Sequence, residues 1–336
     1  MTRDSSLERI LELGYAFRAA KALMSAVELG VFTALADGAL DGEALRQRLG
    51  LAERGARDFF DSLVALGLLH RDGPDRYANT PAADLYLDAG KDGYIGGLFA
   101  NLNAREYGLW GSLTEALRTG VPQTGFATPK HFGCLYSDPQ RLSFFVNAMT
   151  GASLGPAKAI AAKFPWHRYE SFVDIGSAQG CVPVQIALAH PHLIGGGFDL
   201  PNLAPTFDTY VTARGLSDRV RFFAGDFFVD PLPAADVMIM GRVLHNWDLA
   251  TKLTLLQKAH AALPASGALI VYERLIDDER RASTASLLSS LNMLIMTQGG
   301  FDFRAADCVD WMHQVGFRDT RVEPLADTHT MIVAMK

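Results

Sequence analysis

The segment SFVDIGSAQG, residues 171–180, places an acid and two glycines after a short apolar run. A glycine-rich turn that follows a strand typically holds a phosphate, a dinucleotide or another nucleotide-like cofactor. A dinucleotide fingerprint starting at Gly176 would need glycines where Ala178 and Cys181 stand. A phosphate loop would need a lysine before Ser or Thr, and no basic residue lies between positions 174 and 190. The remaining acid–x–Gly–x–x–x–Gly pattern consists of Asp174, Gly176 and Gly180.

Two further acids end the next two apolar runs. Asp199, in GFDLP, lies 23 residues after Gly176, at a position where a carboxylate can accept both ribose hydroxyls. Asp226, in AGDFF, could accept the exocyclic amine of adenine while Phe227 packs on the ring. Acids without nearby cations suit a ligand with an ammonium and a sulfonium better than a pyrophosphate. Together these residues predict S-adenosylmethionine as the cofactor.

His245, in RVLHNW, is the histidine best placed for acid–base chemistry, because it follows an apolar run at the cofactor end of the chain's strands. Methyl transfer needs a nucleophile aligned with the sulfonium carbon. A phenol of pKa ~10 is about one part in a thousand ionised at pH 7, so a base assists. An isolated histidine is more often a surface or core residue, and the residues alone leave that interpretation open.

Short apolar runs alternate with helical segments from residue 170 onward. The runs are ESFVDIG, IGGGFDLP, RVRFFAGD, ADVMIMGRVL and GALIVYERL, and the helices are CVPVQIALAH, APTFDTYVTARG and LATKLTLLQKAHAAL. This alternation predicts an α/β, doubly wound parallel sheet with ligands at the carboxyl ends of its strands. Residues 101–168 read as connecting helices, so we expect a catalytic domain at 101–336 with its core at 169–336.

Residues 1–100 predict a helical, winged-helix domain. Apolar residues recur at helical spacing within 6–36, two short helices follow, and LLHRDGPDRYANT reads as a hairpin. A winged helix usually indicates DNA binding, but residues 1–90 carry ten basic and fourteen acidic residues. Because DNA binding needs a positive surface, the charge favours a structural or dimerising role.

Composition narrows the remaining classes of function. The net charge of −6 argues against nucleic acid or an anionic membrane as partner, and no apolar run approaches the ~18 residues of a membrane span. The polar start predicts no secretory signal. Cys134, Cys181 and Cys308 lie far apart, which predicts neither a zinc site nor a disulfide framework and fits a reducing cytoplasm. We therefore expect a cytoplasmic protein without a metal.

The chain resembles the class I, S-adenosylmethionine-dependent small-molecule O-methyltransferases of the caffeate/acetylserotonin type, in their bacterial natural-product branch. The resemblance spans nearly the whole chain, and the segments that carry it are ELGVFTAL, VDIGSAQG, FDLP, AGDFF, LHNWD, IVYERLI and GGFD. It implies an intertwined homodimer formed by the N-terminal domain, and a catalytic domain with a seven-stranded Rossmann-like sheet.

The resemblance also implies a role for each matching residue of the active site. His245 matches the catalytic base, Glu273 the acid that orients it, and Asp302 a second orienting acid. As alternatives, either acid could be an ordinary strand-end or helix-cap residue. Further cofactor contacts are expected from Leu200, Gly225, Phe227, Gly241, Arg242 and Trp247, and acceptor contacts from Phe145, Met149, His245, Asn246, Asn292, Met293 and Met296.

Several positions depart from the family pattern. Ser177 and Ala178 replace glycines of the usual loop, Asn246 replaces an Asp, and Arg242 stands where plant members carry lysine. A core role remains the alternative for Trp247 and for the methionine pair. These departures leave the base and the cofactor acids in place but weaken any transfer of substrate identity.

The sequence therefore favours methyl transfer to a hydroxyl of a small aromatic natural-product precursor. A C-methyltransferase on the same scaffold remains open, since a phenolate or enolate can also react at carbon. A non-catalytic winged-helix ligand sensor is the third interpretation, but it would need a basic recognition helix, which the sequence lacks.

Overall fold

The computed structural model describes residues 6–124, 139–326 and 328–336, with the backbone alone for 139–141 and 144. The chain divides into two compact units, residues 1–108 and residues 109–336. Among the described residues, every helix is too short or too polar to cross a membrane. Cys181 and Cys308 are buried free thiols, and Cys134 lies outside the described residues.

The N-terminal unit consists of short helices around a small sheet. Its elements in chain order are α1 (Leu7–Glu28), α2 (Val31–Ala34), β1 (Leu40–Asp41), α3 (Gly42–Arg48), α4 (Glu53–Ala65), β2 (Leu69–Asp72), β3 (Arg76–Asn79), α5 (Pro81–Leu87), α6 (Gly96–Asn101) and a π-helical turn (Leu102–Glu106).

Helix α3, helix α4 and the β2–β3 hairpin form the predicted helix–turn–helix with its wing. The carboxylate of Asp41 caps α3 by accepting the Ala44 N–H at 2.8 Å. Strand β3 pairs antiparallel with both β1 and β2. Phe60 and Tyr77 meet at 5.3 Å between ring centroids in a core shared by these helices and strands. The winged-helix prediction is therefore confirmed.

The second unit carries the large sheet and its covering helices. A short helix α7 (Tyr107–Leu109) spans the division, and the following elements are a 3₁₀ turn (Trp110–Ser112), α8 (Leu113–Thr119), α9 (Pro139–Lys163), a 3₁₀ turn (Trp166–Arg168), β4 (Ser171–Ile175), α10 (Cys181–Ala189), β5 (Ile194–Asp199), a 3₁₀ turn (Pro201–Leu203), α11 (Ala204–Thr212), β6 (Val220–Ala224), β7 (Val237–Gly241), a 3₁₀ turn (Leu244–Asn246), α12 (Leu249–Ala262), β8 (Ala268–Glu273), α13 (Thr284–Met296), α14 (Ala305–Gln314), β9 (Arg318–Pro324) and β10 (Thr330–Met335).

Seven strands form one sheet in the order β6-β5-β4-β7-β8-β10-β9. Strands β4 to β8 are mutually parallel, as the alternation predicts. Strand β10 runs antiparallel to β8 and to β9, so the seven-stranded sheet is mixed, and the five predicted strands form its parallel part. The predicted doubly wound, seven-stranded fold class is confirmed. The chain order reverses between β4 and β7, which is where open α/β sheets bind ligands.

Both faces of the central strands are buried. Phe172 on β4 packs into one apolar cluster and its neighbour Val173 into the other, because successive strand residues point to opposite faces. Helices α10 and α11 supply the first cluster, and helices α12 and α14 the second. A parallel sheet covered on both faces leaves the carboxyl ends of its strands as the place for chemistry.

Candidate active site

The glycine turn leaves β4 and leads directly into α10. Gly176 and Gly180 have φ values of +76° and +92°, in the left-handed region that glycine tolerates. A Cβ at Gly176 would lie 2.8 Å from the Val243 side chain, and one at Gly180 would lie 2.6 Å from the Phe207 ring. Ala178 also has a positive φ of 49°, so the loop holds an L-residue where the family pattern has glycine.

Asp199 is held by the same turn. Its Oδ2 accepts the Ala178 N–H at 2.9 Å, and its Oδ1 accepts the Leu200 N–H at 2.8 Å. Each oxygen keeps a further lone pair, so the carboxylate can still accept two ligand hydroxyls. Burial raises the pKa of Asp199 to about 6, although these two backbone N–H groups oppose the rise.

Asp174 lies beside Asp199 and is buried. Burial and the neighbouring charge of Asp199 raise the pKa of Asp174 well above its usual value. Two carboxylates in one buried pocket are stabilised by a ligand cation. The donor set of this pocket therefore fits the ammonium, sulfonium and ribose hydroxyls of S-adenosylmethionine.

Aromatic rings gather near the ends of β6 and β7. Phe227 and Trp247 meet at 5.9 Å between ring centroids, and the half-exposed ring of Phe228 lies 4.8 Å from each of them. The Asp226 Oδ1 accepts the Phe228 N–H at 2.9 Å, which fixes this turn. Gly225 donates its N–H to the Asp199 carbonyl at 3.0 Å, so the ends of β5 and β6 are joined.

Strand β7 ends at Gly241 and Arg242. A Cβ at Gly241 would lie 1.9 Å from the Tyr272 ring, so only glycine fits at this strand end. Arg242 adopts a positive φ of 56°. Its buried Nη1 has no hydrogen-bond partner among the described residues. A guanidinium N–H at this strand end is thus available to an anionic group of a ligand.

His245, Glu273 and Asp302 meet at the carboxyl ends of β7 and β8. The His245 Nδ1 lies 3.4 Å from Asp302 Oδ1 and 3.6 Å from Glu273 Oε2. The Glu273 Oε1 also accepts the backbone N–H of His245 at 3.3 Å. The exposed fractions are 8% for His245, 1% for Glu273 and 2% for Asp302. Three segments distant in sequence thus form one buried cluster.

This geometry defines the protonation of the imidazole. Ionised carboxylates only accept hydrogen bonds, so the nitrogen facing them carries the proton and Nε2 keeps the lone pair. Burial disfavours the imidazolium, but the charges of Glu273 and Asp302 outweigh burial and raise the pKa of His245. Burial also raises the pKa of Glu273, with the positive charge on His245 opposing the rise. Chemically, the arrangement can act as an oriented base.

The same three residues also have the spacing of a metal site. One ligand atom from each lies within 4.8 Å of the other two. A histidine with two carboxylates is a donor set that several divalent ions accept. Geometry alone therefore permits either an oriented base or a bound ion.

The residues expected to contact the acceptor lie in different surroundings, some hydrogen-bonded and some packed in apolar clusters. The Asn246 amide donates to the carbonyls of Arg242 and Val243, at 3.1 and 3.2 Å, within its own turn. Asn292 accepts the indole N–H of Trp110 at 2.9 Å. Met296 packs in an apolar cluster with helix α8, and Met293 is buried nearby on α13.

Phe145 lies close to the cofactor loop. Its ring packs in an apolar cluster that includes Ala178 and Leu200. Met149, one turn further along α9, is half-buried. In the same helix Thr150 accepts the Gln179 amide at 2.5 Å, which ties α9 to the glycine turn.

Lys252 also belongs to this site and was not predicted from the sequence. Lys252 is fully buried, and its ammonium donates to the carbonyls of Trp247 at 2.6 Å and Phe301 at 3.1 Å. Its position in the sequence does indicate burial, because Lys252 lies on the same face of α12 as the buried residues Leu255, Leu256 and Ala259. The doubled phenylalanine of AGDFF likewise pointed to Phe228.

The fold and this site are those of a Rossmann-like methyltransferase, and comparison with known proteins supports this class. Residues 110–318 match the family profile of an O-methyltransferase domain, and residues 11–89 that of an O-methyltransferase dimerisation domain. The chain is 44% identical over 329 residues to the tetracenomycin polyketide synthesis 8-O-methyl transferase TcmO of Streptomyces glaucescens, covering 97% of this chain and 96% of that protein.

Two other relatives extend the comparison. The N,N-dimethyltransferase OxyT of Streptomyces rimosus is 39% identical over 335 residues, covering 97% of this chain and 96% of that protein. The crystal structure of human N-acetylserotonin methyltransferase in complex with SAM superposes with a TM-score of 0.92 at 26% identity, covering 100% of this chain and 99% of that one.

The chain belongs to the O-methyltransferase family. It is an S-adenosylmethionine-dependent O-methyltransferase of the natural-product type, so the predictions of cofactor, family and enzyme class are confirmed.

Proposed function

We propose that the enzyme methylates a hydroxyl of a small aromatic natural-product precursor, with His245 as the general base. The observation that carries this proposal is the buried imidazole whose Nδ1 faces two buried carboxylates at 3.4 and 3.6 Å. That arrangement leaves Nε2 as a proton acceptor at the edge of the sheet where the cofactor loop also lies.

The cofactor supplies an electrophilic methyl group on a sulfonium. Asp199 accepts the ribose hydroxyls, and Asp174 offsets the positive charge of the ligand. Phe227 and Trp247 line the adenine, with Asp226 as the acceptor for its amine. Arg242 offers a guanidinium N–H to the ligand's carboxylate. The strand-end glycines, together with Leu200, shape the pocket.

The role of His245 follows from the proton balance. Full proton transfer from a phenol of pKa ~10 to an imidazole of pKa ~6.5 is uphill by ~5 kcal/mol. The raised pKa of His245 narrows this difference, because the two carboxylates stabilise the imidazolium as it forms. Glu273 and Asp302 thus hold the ring and support its charge while the acceptor oxygen loses its proton.

The names of the relatives support an aromatic acceptor. TcmO is described as a polyketide 8-O-methyl transferase, and a further relative, 32% identical over 301 residues, as a 3-hydroxy-5-methyl-1-naphthoate 3-O-methyltransferase of Streptomyces sahachiroi. We expect Phe145, Met149 and Met293 to pack on the flat ring of the acceptor, and Asn246, Asn292 and Met296 to contribute further contacts. Incubation of phenols, naphthols and polycyclic aromatics with labelled methyl donor, followed by mass spectrometry, tests this class.

Methylation at nitrogen is the second candidate, and the 39% identity to the N,N-dimethyltransferase OxyT favours it. Methylation at carbon uses the same base, so it needs the same test. NMR of the isolated product assigns the new methyl group to oxygen, nitrogen or carbon. A product methylated only at nitrogen or carbon would overturn the hydroxyl assignment.

Metal-free catalysis is part of the same proposal. If His245, Glu273 and Asp302 act as an oriented base, dialysis against a chelator should leave the methyl-transfer rate unchanged. Activity that falls on chelation and returns with a divalent ion would instead assign the cluster to a metal.

We also propose a homodimer formed through the N-terminal unit. Leu7, Ile10 and Leu13 on α1 are 70%, 63% and 62% exposed in the single chain. Soluble monomers rarely expose a large apolar patch, and such patches usually mark an interaction surface. Light scattering of the full-length protein should give twice the mass of one chain, and replacing these three residues with serine should give monomers or aggregates. A wild-type monomer at micromolar concentration would contradict the proposal.

A further inference from the structure

Lys252 is a charged side chain with no exposed surface in the described structure. It lies in the first turn of α12, seven residues after His245. Its Nζ donates to the Trp247 carbonyl at 2.6 Å and to the Phe301 carbonyl at 3.1 Å, and it lies 3.2 Å from the centroid of the Phe301 ring. Lysine is almost never fully buried unless its charge is partnered, so this position needs an explanation.

The two carbonyls belong to the segments that carry the base and one of its acids. Trp247 follows His245 by two residues, and Phe301 directly precedes Asp302. The segments are also in direct contact, because a Cβ at Gly300 would lie 2.6 Å from the His245 carbonyl oxygen. One ammonium therefore joins two segments whose spacing sets the 3.4 Å distance between His245 Nδ1 and Asp302 Oδ1.

The charge of Lys252 complements the same cluster. Burial lowers the pKa of Lys252 to about 8, and the carboxylates of Glu273, Asp302 and Asp248 oppose that fall. The positive charge of the ammonium and the negative charges of these acids therefore stabilise one another.

We propose that Lys252 is a positioning residue, whose ammonium holds the Phe301 backbone against the Trp247 backbone and so keeps Asp302 on the Nδ1 of His245. The inference rests on the proposed role of His245 as base. It concerns a residue outside the reacting atoms, because the contacts of Lys252 are to backbone and ring rather than to the imidazole.

The first test is Lys252→Met, which keeps the length of the side chain and removes its charge and donors. Misplacing a group of the active site lowers the rate, and because Lys252 acts through Asp302 its loss should cost no more than that of Asp302→Asn, so kcat should fall by about 3- to 10-fold. Affinity for S-adenosylhomocysteine, measured by calorimetry, should stay within about twofold. Lys252→Gln, which retains one donor, should lose less and provides a second variant if the first is poorly folded.

Lys336→Met is the matched control. Lys336 also donates its ammonium to a backbone carbonyl, that of Leu263 at 2.7 Å, but at the opposite end of the sheet. Its kcat should equal that of wild type. If both variants lose stability equally and only Lys252→Met loses kcat, a general folding effect is excluded.

A double-mutant cycle with Asp302→Asn separates positioning from fold support. If Lys252 acts through Asp302, adding Lys252→Met to Asp302→Asn should lower kcat by less than about twofold further. The loss caused by Lys252→Met should also shrink with a nitro-substituted phenol that needs less help from a base. Losses that multiply in the double variant, and that do not depend on acceptor acidity, would overturn the proposal. If His245 is not the base, the His245→Ala enzyme keeps the kcat of wild type. That result distinguishes a failure of the proposed function from a failure of the proposal for Lys252.

Discussion

The two ends of the active site are built in different ways. The cofactor end is a local structure, in which one turn between β4 and α10 uses backbone N–H groups to hold Asp199 at 2.8 and 2.9 Å. The base end is assembled from side chains of three distant segments, with longer contacts of 3.4 and 3.6 Å around His245. The first end is specified by a short motif, whereas the second depends on the packing of the whole unit.

This difference predicts that substitutions at the two ends change different kinetic quantities. Catalytic hydrogen bonds are often long before substrate binds and tighten in the reacting complex. Residues at the base end should therefore act on kcat. Residues at the cofactor end should act on affinity for the methyl donor and its product.

The largest effect is expected for His245→Ala. General-base assistance typically contributes ~10²–10⁴ in rate, so kcat should fall by that factor. Affinity for S-adenosylhomocysteine should remain within about twofold, because no cofactor contact is removed. Steady-state kinetics and calorimetry on the same preparation measure both quantities. A fall in affinity as large as the fall in kcat would contradict the separation of the two ends into one that acts on kcat and one that acts on cofactor affinity.

Asp199→Ala should give the converse pattern. The loss of hydrogen bonds from hydroxyls to a charged group costs ~1.5–3 kcal/mol, so the affinity for S-adenosylhomocysteine should fall by about 10- to 150-fold. At saturating cofactor, kcat should change far less than in His245→Ala. Unchanged affinity in calorimetry would remove Asp199 from the cofactor site.

Glu273→Gln and Asp302→Asn compare the two acids on one imidazole. Each substitution should lower kcat by up to about tenfold, which is less than the loss expected for His245→Ala. The reason is that the imidazole remains and loses only part of its orientation and charge support. Removal of either charge should also lower the pKa of His245, so the rise of kcat with pH should begin at lower pH than in wild type. An acid whose replacement leaves both the rate and the pH profile unchanged is a strand-end or capping residue.

The smallest effect is a pH dependence of product binding at the cofactor end. Burial raises the pKa of Asp199 to about 6, and its ionised form is the one that accepts two hydroxyls. Binding therefore requires loss of a proton below this pH, so affinity for S-adenosylhomocysteine should weaken severalfold as the pH falls from 7 to 5.5. Asp199→Asn should flatten most of this dependence, whereas a wild-type affinity independent of pH would show that Asp199 does not titrate on binding.

The same contrast explains what the sequence could predict. The acids and glycines of the cofactor end follow successive strands at fixed intervals, and parallel strands bring such positions to one edge. The position of His245 after an apolar run singled it out, and the resemblance to known methyltransferases supplied its role and the two acids, Glu273 and Asp302. Spacing alone could not tell which carboxylate lies nearer Nδ1. That order depends on how the segment after α13 packs against the turn after β7.

Two parts of the structure escaped prediction for physical reasons. Strand β9, RDTRVEP, lies at the sheet edge and is mostly exposed, so it carries almost no apolar signal. The role of Lys252 depends on its contact with the Phe301 carbonyl, 49 residues further along the chain, which no local pattern contains.

Removal of the acceptor proton by His245 can be tested by measuring the rate of methyl transfer to a series of phenols that differ in pKa. Single-turnover rates should be measured for wild type and His245→Ala at saturating cofactor, with acceptors of one shape. We expect the rate to depend only weakly on acceptor pKa in wild type and steeply in His245→Ala, with the two lines converging at the most acidic phenols. Parallel lines, or equal rates on the least acidic acceptor, would contradict the assignment of His245 as the base.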